Sequence, residues 1–232
     1  MTTKYLFVLL ILFLPGLSWA GGSLSGTVLY QGLPPPVKKR PVTVDESVCG
    51  KSVDSEELIV GKGTKGGLKN AVVFLQGAVA GAKRFSAPKG GFVLDQKKCR
   101  FEPHVLIVPA GSEMQVSNSD HLVHSLHTGS RTNPPVNRVQ PAGLARLSFR
   151  FDRAEIFELR CEIHRGMQAW VVVAEHPYYA LTDDEGRFRL TDIPAGDYTL
   201  QVRHETLGSV VKRVQVAEEG ETRVEFKMGG RY

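Results

Sequence analysis

The chain has 232 residues, 42% hydrophobic and 23% charged, with a formal net charge of +5. That balance belongs to a folded protein of one large or two small domains, and it excludes a disordered or collagen-like chain. The positive charge is mild and no Lys/Arg stripe alternates with aromatics, so nothing points to nucleic acid, while an acidic protein partner would suit it. In chain order, residues 1–20 read as a secretory signal. Lys4 gives a short positive start, 5–14 is an apolar run, Pro15 and Gly16 break it, and Ser18 and Ala20 offer small residues for cleavage. The run is short for a membrane span, which needs about 20 residues; an uncleaved anchor is the other reading. No later segment is long and apolar enough to span a membrane. The mature chain is therefore expected to begin near Gly21 and to work in the periplasm or outside the cell, where disulfides persist.

The rest has a β texture. Short alternating or β-branched runs at 24–30, 71–75, 105–108, 113–117, 156–161 and 170–173 are bounded by Gly, Pro, Asn and Asp. No capped amphipathic helix stands out. Loops are predicted at 33–36, 61–67 and 133–141. The expectation is an all-β protein of sandwiches or barrels.

The segment that carries chemistry is Cys161-Glu162-Ile163-His164-Arg165-Gly166-Met167. Thiolate, imidazole and thioether within one loop form a soft to borderline donor set, suited to copper cycling between Cu(I) and Cu(II). A type 1 centre takes one Cys and two His in a plane with a weak axial Met, so a second His must come from elsewhere. In 157–161 the alternation places Phe157, Leu159 and Cys161 on one face and Glu158 and Arg160 on the other. The sulfur is therefore predicted to face the core at a strand end, with His164 and Met167 in the following loop. The candidates for the second His are His121, His124 and His127. If that stretch is extended, Leu122, His124 and Leu126 share a face, which makes His124 the inward imidazole. His121 and His127 then read as solvated residues or as an accessory metal site.

The cysteine count is three, which is odd. In an exported protein Cys49 and Cys99 are expected to pair, leaving Cys161 for metal. The other reading gives one of them, with His104, to a second metal. His104, His176 and His204 lack ligand spacing and read as structural or surface residues. Asp183, Asp184 and Glu185 read as a polar turn.

The last quarter resembles the carboxypeptidase regulatory-like, transthyretin-like β-sandwich. The matching residues are Thr182-Asp183, Gly186-Arg187-Phe188, Ile193-Pro194-Ala195-Gly196 and Tyr198-Thr199-Leu200. The usual opening of such a sandwich, Gly-x-Val and a Gly-Pro turn, is found far upstream at Gly26-Thr27-Val28 and Gly32-Leu33-Pro34. Either the sandwich is discontinuous, with the middle domain inserted, or the N-terminal piece is a separate β-element.

The middle of the chain resembles a cupredoxin. Phe101-x-Pro103, Ala110-Gly111 and Asn118-x-Asp120 resemble the strands leading to the first ligand His, and the C-x2-H-x2-M loop resembles that of amicyanin. The whole is similar to bacterial periplasmic proteins labelled methylamine utilisation proteins, which join these two sandwiches. The resemblance implies a single copper held by His124, Cys161, His164 and Met167. It divides the chain into a signal (1–20), an N-terminal β-region (21–88), a copper domain (89–175) and a regulatory-like sandwich (176–232). Two departures stand out. Ser125 replaces the Asn that commonly ties the two ligand loops, and Gly166 replaces a bulky apolar residue beside the Met.

The leading expectation is an electron carrier serving a redox protein such as a periplasmic cytochrome or dehydrogenase, with the ring edge of His164 as its port. Copper delivery, storage or tolerance is the second reading, and a metal-free interaction module the third. No enzyme is expected: paired His-x-His motifs, HExxH and a phosphate-binding Gly loop are all missing.

Overall fold

The computed structural model describes residues 21–61, 66–144 and 146–229. The predicted signal and most of the 61–67 loop lie outside them. Among the described residues there are eighteen strands and one short helix, Glu46–Cys49. No helix there is long and apolar enough to cross a membrane. The chain is all-β, as its sequence texture implies.

The strands build two sandwiches. The first has a three-stranded sheet, ordered Arg187–Ile193, Gly22–Tyr30, Glu221–Met228. Its facing sheet is ordered Tyr179–Leu181, Val72–Leu75, Gly196–His204, Gly208–Val216. Leu24, Val28, Val73, Leu75, Leu190, Leu200, Val202 and Phe226 fill the space between. The alternation does this directly: Phe188 and Leu190 point inward, as do Leu200 and Val202 on their strand. Gly22–Tyr30 runs parallel to Glu221–Met228 and antiparallel to Arg187–Ile193, with Leu24 opposite Leu190. The sandwich is thus discontinuous: strands from both ends of the chain close one core, and the other sandwich lies between Val72–Leu75 and Tyr179–Leu181. A parallel pair always needs a crossover connection; here that crossover contains a whole second sandwich.

The second sandwich pairs a five-stranded sheet, Asn137–Gln140, His124–Thr128, Glu155–Arg160, Gln168–Ala174, Val105–Pro109, with a four-stranded one, Arg146–Arg150, Glu113–Asn118, Phe92–Lys97, Arg100–Glu102. Its core contains Leu94, Phe101, Met114, Val116, Leu126, Phe157, Leu159, Cys161 and Met167.

The sandwiches pack on each other through outer sheet faces. Val72, Val105 and Val172 are buried there, with Phe74, Trp170 and Tyr179 against them. This explains the continuous apolar run of residues 169–174 in the strand Gln168–Ala174, which is buried on both faces. The polar part of the seam centres on Glu205, which accepts from Trp170 Nε1 at 2.8 Å and Gln168 Nε2 at 3.2 Å and pairs with His104. His104, His176 and His204 are all buried, so the structural reading of them holds.

His204 makes a pH prediction. Desolvation in the core pushes its pKa from 6.5 down to about 4, against an opposing pull from Glu205. The folded protein keeps it neutral where the unfolded chain would bind a proton. Its contribution is complete above pH 6.5 and is lost as pH falls through 4. Urea titrations from pH 7 to pH 4 should show that His204→Leu removes up to about 3 kcal/mol of acid sensitivity. Parallel pH profiles for the two proteins would contradict this.

Candidate metal centre

The site forms where two strand ends meet. Glu155–Arg160 and His124–Thr128 are hydrogen-bonded neighbours, with Leu159 opposite Thr128 and Arg160 opposite His127. Sheet pairing therefore brings His124 beside Cys161, the residue that follows the Glu155–Arg160 strand. The loop then closes on itself. Cys161 N donates to Met167 O at 3.0 Å, and Met167 N donates to His164 O at 3.0 Å. His164 N donates to Cys161 Sγ at 3.4 Å.

Three donor atoms converge. His124 Nδ1 and His164 Nδ1 are 3.1 Å apart. Cys161 Sγ lies 3.9 Å from the first and 3.7 Å from the second. Relative exposures are 0% for His124, 3% for Cys161 and 5% for His164. Met167 is buried in the same cluster as Cys161. The four residues singled out from the sequence are thus at one place, three of them with donor atoms in contact range.

The surroundings orient those donors for a metal. His124 Nε2 meets Asp120 Oδ2 at 3.2 Å, and His164 Nε2 meets Asp45 Oδ2 at 2.9 Å. A carboxylate on Nε2 holds the proton there and turns the Nδ1 lone pair toward the thiol. Burial, with the neighbouring His164 adding to it, pushes the His124 pKa down despite Asp120, which keeps the imidazole neutral and able to ligate. Asp120 is itself held by the backbone N–H groups of Lys98 and Cys99. Asn118 closes the same loop, donating to Leu122 O at 2.7 Å and accepting from Asp120 N at 3.2 Å. The donor set and its tautomers fit a soft or borderline metal ion.

Ser125 takes over the job of the expected Asn. Its hydroxyl accepts from Glu162 N at 2.7 Å and donates to Cys161 Sγ at 3.7 Å, and its own N–H donates to the same sulfur at 3.4 Å. The two ligand loops are tied after all. Ser125→Ala is expected to lower metal affinity 10–100-fold, as losses of such outer contacts do. A competition titration with a metal chelator measures it, and an unchanged affinity would deny the hydroxyl any part.

His121 and His127 do not join the cluster. His121 is exposed, and His127 Nδ1 sits 3.8 Å from Glu162 Oε1. Among the described residues neither belongs to a group of three converging donors. Cys49 and Cys99 form a disulfide, which leaves Cys161 as the free cysteine.

One expectation is corrected: the ring edge of His164 is not at the surface. The segment before the second sandwich folds over it as a small hairpin, Lys39–Pro41 with Ser52–Asp54, carrying the helix Glu46–Cys49. The disulfide pins this cap to the turn at Cys99, and Asp45 caps His164 Nε2. Arg40 lies on Gly166, where a Cβ would stand 3.0 Å from Arg40 Cδ, and Arg40 Nη1 donates to Gly166 O at 3.3 Å and to Gln168 Oε1 at 3.0 Å. The Arg side chain thus occupies the side of the loop where a bulky apolar residue was expected.

Residues 166–229 match the family model of the carboxypeptidase regulatory-like domain. The match takes in five strands of the discontinuous sandwich and also Gln168–Ala174, which belongs to the other one. Gly22–Tyr30 and Val72–Leu75 complete the regulatory-like sandwich from outside the match. No curated protein matches the chain. The solved structures similar to part of it include the following three. A copper-containing nitrite reductase from Thermus scotoductus SA-01 is 21% identical over 43% of this chain, TM-score 0.34, and the chain spans only 25% of that protein. A purple cupredoxin from Nitrosopumilus maritimus is 16% identical over 36% of this chain and 99% of its own, TM-score 0.31. A methionine-to-alanine variant of amicyanin in its Cu(I) form is 21% identical over 44% of this chain and 98% of its own, TM-score 0.33.

The regulatory-like sandwich reaches the site through Glu205, which holds Gln168, the residue after Met167. Sequence reasoning passed over Arg40, Asp45 and Glu205, and nothing in the local pattern marks them. Asp120 carried a signal, lying four residues before His124, where its carboxylate meets the ring.

Proposed function

We propose that the protein is an exported, mononuclear type 1 copper protein that carries electrons between redox proteins. The observation that carries the reading is the convergence of His124 Nδ1, His164 Nδ1 and Cys161 Sγ, with each imidazole held by a carboxylate on its far side. In this reading Cys161, His124 and His164 would hold the metal, with Met167 as the further, weaker thioether donor. Copper, when bound, supplies a one-electron couple. The chain's part is to keep the donors fixed in both oxidation states: Ser125 ties the loops, Asp120 and Asp45 hold the imidazoles, and the buried core keeps water away. The partner is a redox protein such as a cytochrome or dehydrogenase, and no catalytic role is assigned. The test is the visible and paramagnetic spectrum of Cu(II)-loaded protein. Intense thiolate-to-copper charge transfer and a one-to-one stoichiometry are expected; a colourless, fully loaded protein overturns the reading.

A second reading, copper delivery or storage, is favoured by one observation. The cap leaves His164 only 5% exposed, where an electron port would be open. Reversible one-electron voltammetry with one retained copper favours the carrier, and copper loss to an acceptor favours handling.

A further inference from the structure

The side chains of His124, Cys161 and His164 are all buried, and the cap lies over their loop. The cap itself carries donors. Cys49 Sγ, Cys99 Sγ and a ring nitrogen of His164 lie within 4.8 Å of one another. His164 is also in the group with His124 and Cys161, so one imidazole is common to two donor sets. A cavity of about 20 Å³ separates cap from loop, lined by Arg40, Cys49, Cys99, His164 and Met167 among others. It is large enough for one water-sized occupant.

We propose that Cys49 and Cys99, when reduced, form with His164 a second copper site, specific for Cu(I), through which copper reaches the buried centre. The inference rests on the copper reading of that centre. Two thiolates and an imidazole are a soft set that selects Cu(I) over harder ions. The chemistry balances. A dithiol reductant gives two electrons and two protons to the Cys49–Cys99 bond and becomes a disulfide itself. Cu(I) then replaces the two thiol protons and keeps its oxidation state. Transfer to Cys161 releases that thiol's proton and returns protons to Cys49 and Cys99. A disulfide oxidant finally removes two electrons and two protons from the pair, and the cap closes. Opening the bond also frees the helix Glu46–Cys49 from the turn at Cys99, so loading and uncovering are one event.

The experiment uses the full chain under anaerobic conditions with a chromophoric Cu(I) chelator as competitor. In Cys161→Ala, the dithiol-reduced and desalted protein is expected to take one Cu(I) and the disulfide form none. Equal uptake by the two forms overturns the site. In the unaltered chain, uptake into the buried centre should be at least tenfold faster after reduction. The double variant Cys49→Ser with Cys99→Ser has an unlatched cap and no thiolates, and should stay slow. If it loads as fast as the reduced chain, the cysteines are only a latch and the proposal fails. Cys99→Ser alone replaces it if the double variant does not fold, with the same slow uptake expected. Reduced Cys161→Ala that binds Cu(I), in a protein whose unaltered form never develops charge transfer, supports the cap site and refutes the type 1 centre.

Discussion

Copper-loaded Cys161→Ser is expected to lose the intense visible absorption completely. The band requires a thiolate bonded to Cu(II), and a serine oxygen is a hard donor that cannot supply the same transition. The replacement is small in shape, and the site offers its oxygen partners already in place. Ser125 N and His164 N both point at the present sulfur, each at 3.4 Å. The apo fold should therefore survive, with a cost of no more than about 2 kcal/mol for a buried polar exchange. Absorption spectra of the loaded protein and urea unfolding of the apo protein separate the two effects. Retained colour would mean that another residue supplies the charge-transfer donor. A large loss of apo stability would mean that the cysteine is held for packing.

Gly186→Ala is expected to destabilise the regulatory-like sandwich by at least about 3 kcal/mol. Gly186 has φ +74°, a conformation costly for any residue with a side chain. A Cβ there would also run into Val28 O and lie 2.9 Å from both Gly67 Cα and Leu68 N. These neighbours are backbone and cannot swing aside. They are also fixed: Val28 N donates to Gly186 O at 2.8 Å, and Leu68 N donates to Val28 O at 2.8 Å. The turn at Asp183 is clamped against the N-terminal strand, so the substitution attacks the contact between that turn and the strand. Gly220→Ala is the control. Its φ is +100°, yet a Cβ would meet nothing within 4 Å, so strain alone applies and the cost should be about 1–2 kcal/mol. Urea midpoints for both variants decide it. Equal losses would show that the close approach at Gly186 is relieved at little cost.

The legible part of the site was local. Alternation in 157–161 turned Phe157, Leu159 and Cys161 inward, and all three are buried. The same two-residue period chose His124, now fully buried, over exposed His121 and partly exposed His127. The cysteine count pointed to the Cys49–Cys99 bond that the fold contains. Each inference used residues within one strand, or a count, where backbone geometry dictates the outcome.

The illegible part was distant. A loop histidine reads as solvent-facing, yet His164 is covered by Asp45, 119 positions away in sequence. Ser125 looked like a missing tie because its type was judged without the Glu162 N–H that it receives. The upstream Gly26-Thr27-Val28 suggested an opening strand, but its partner at Glu221–Met228 is fixed only by register across the whole chain.

The sequence by itself determined the all-β class, the inward face of each ligand strand and the Cys-His-Met donor loop, because side-chain parity and donor chemistry act over a few residues. Only the tertiary structure decided that the regulatory-like sandwich is closed by both chain ends, that Ser125 ties the loops, and that a disulfide-pinned cap covers His164. Those outcomes depend on which distant surfaces bury each other, and that is set by packing and pairing across the fold.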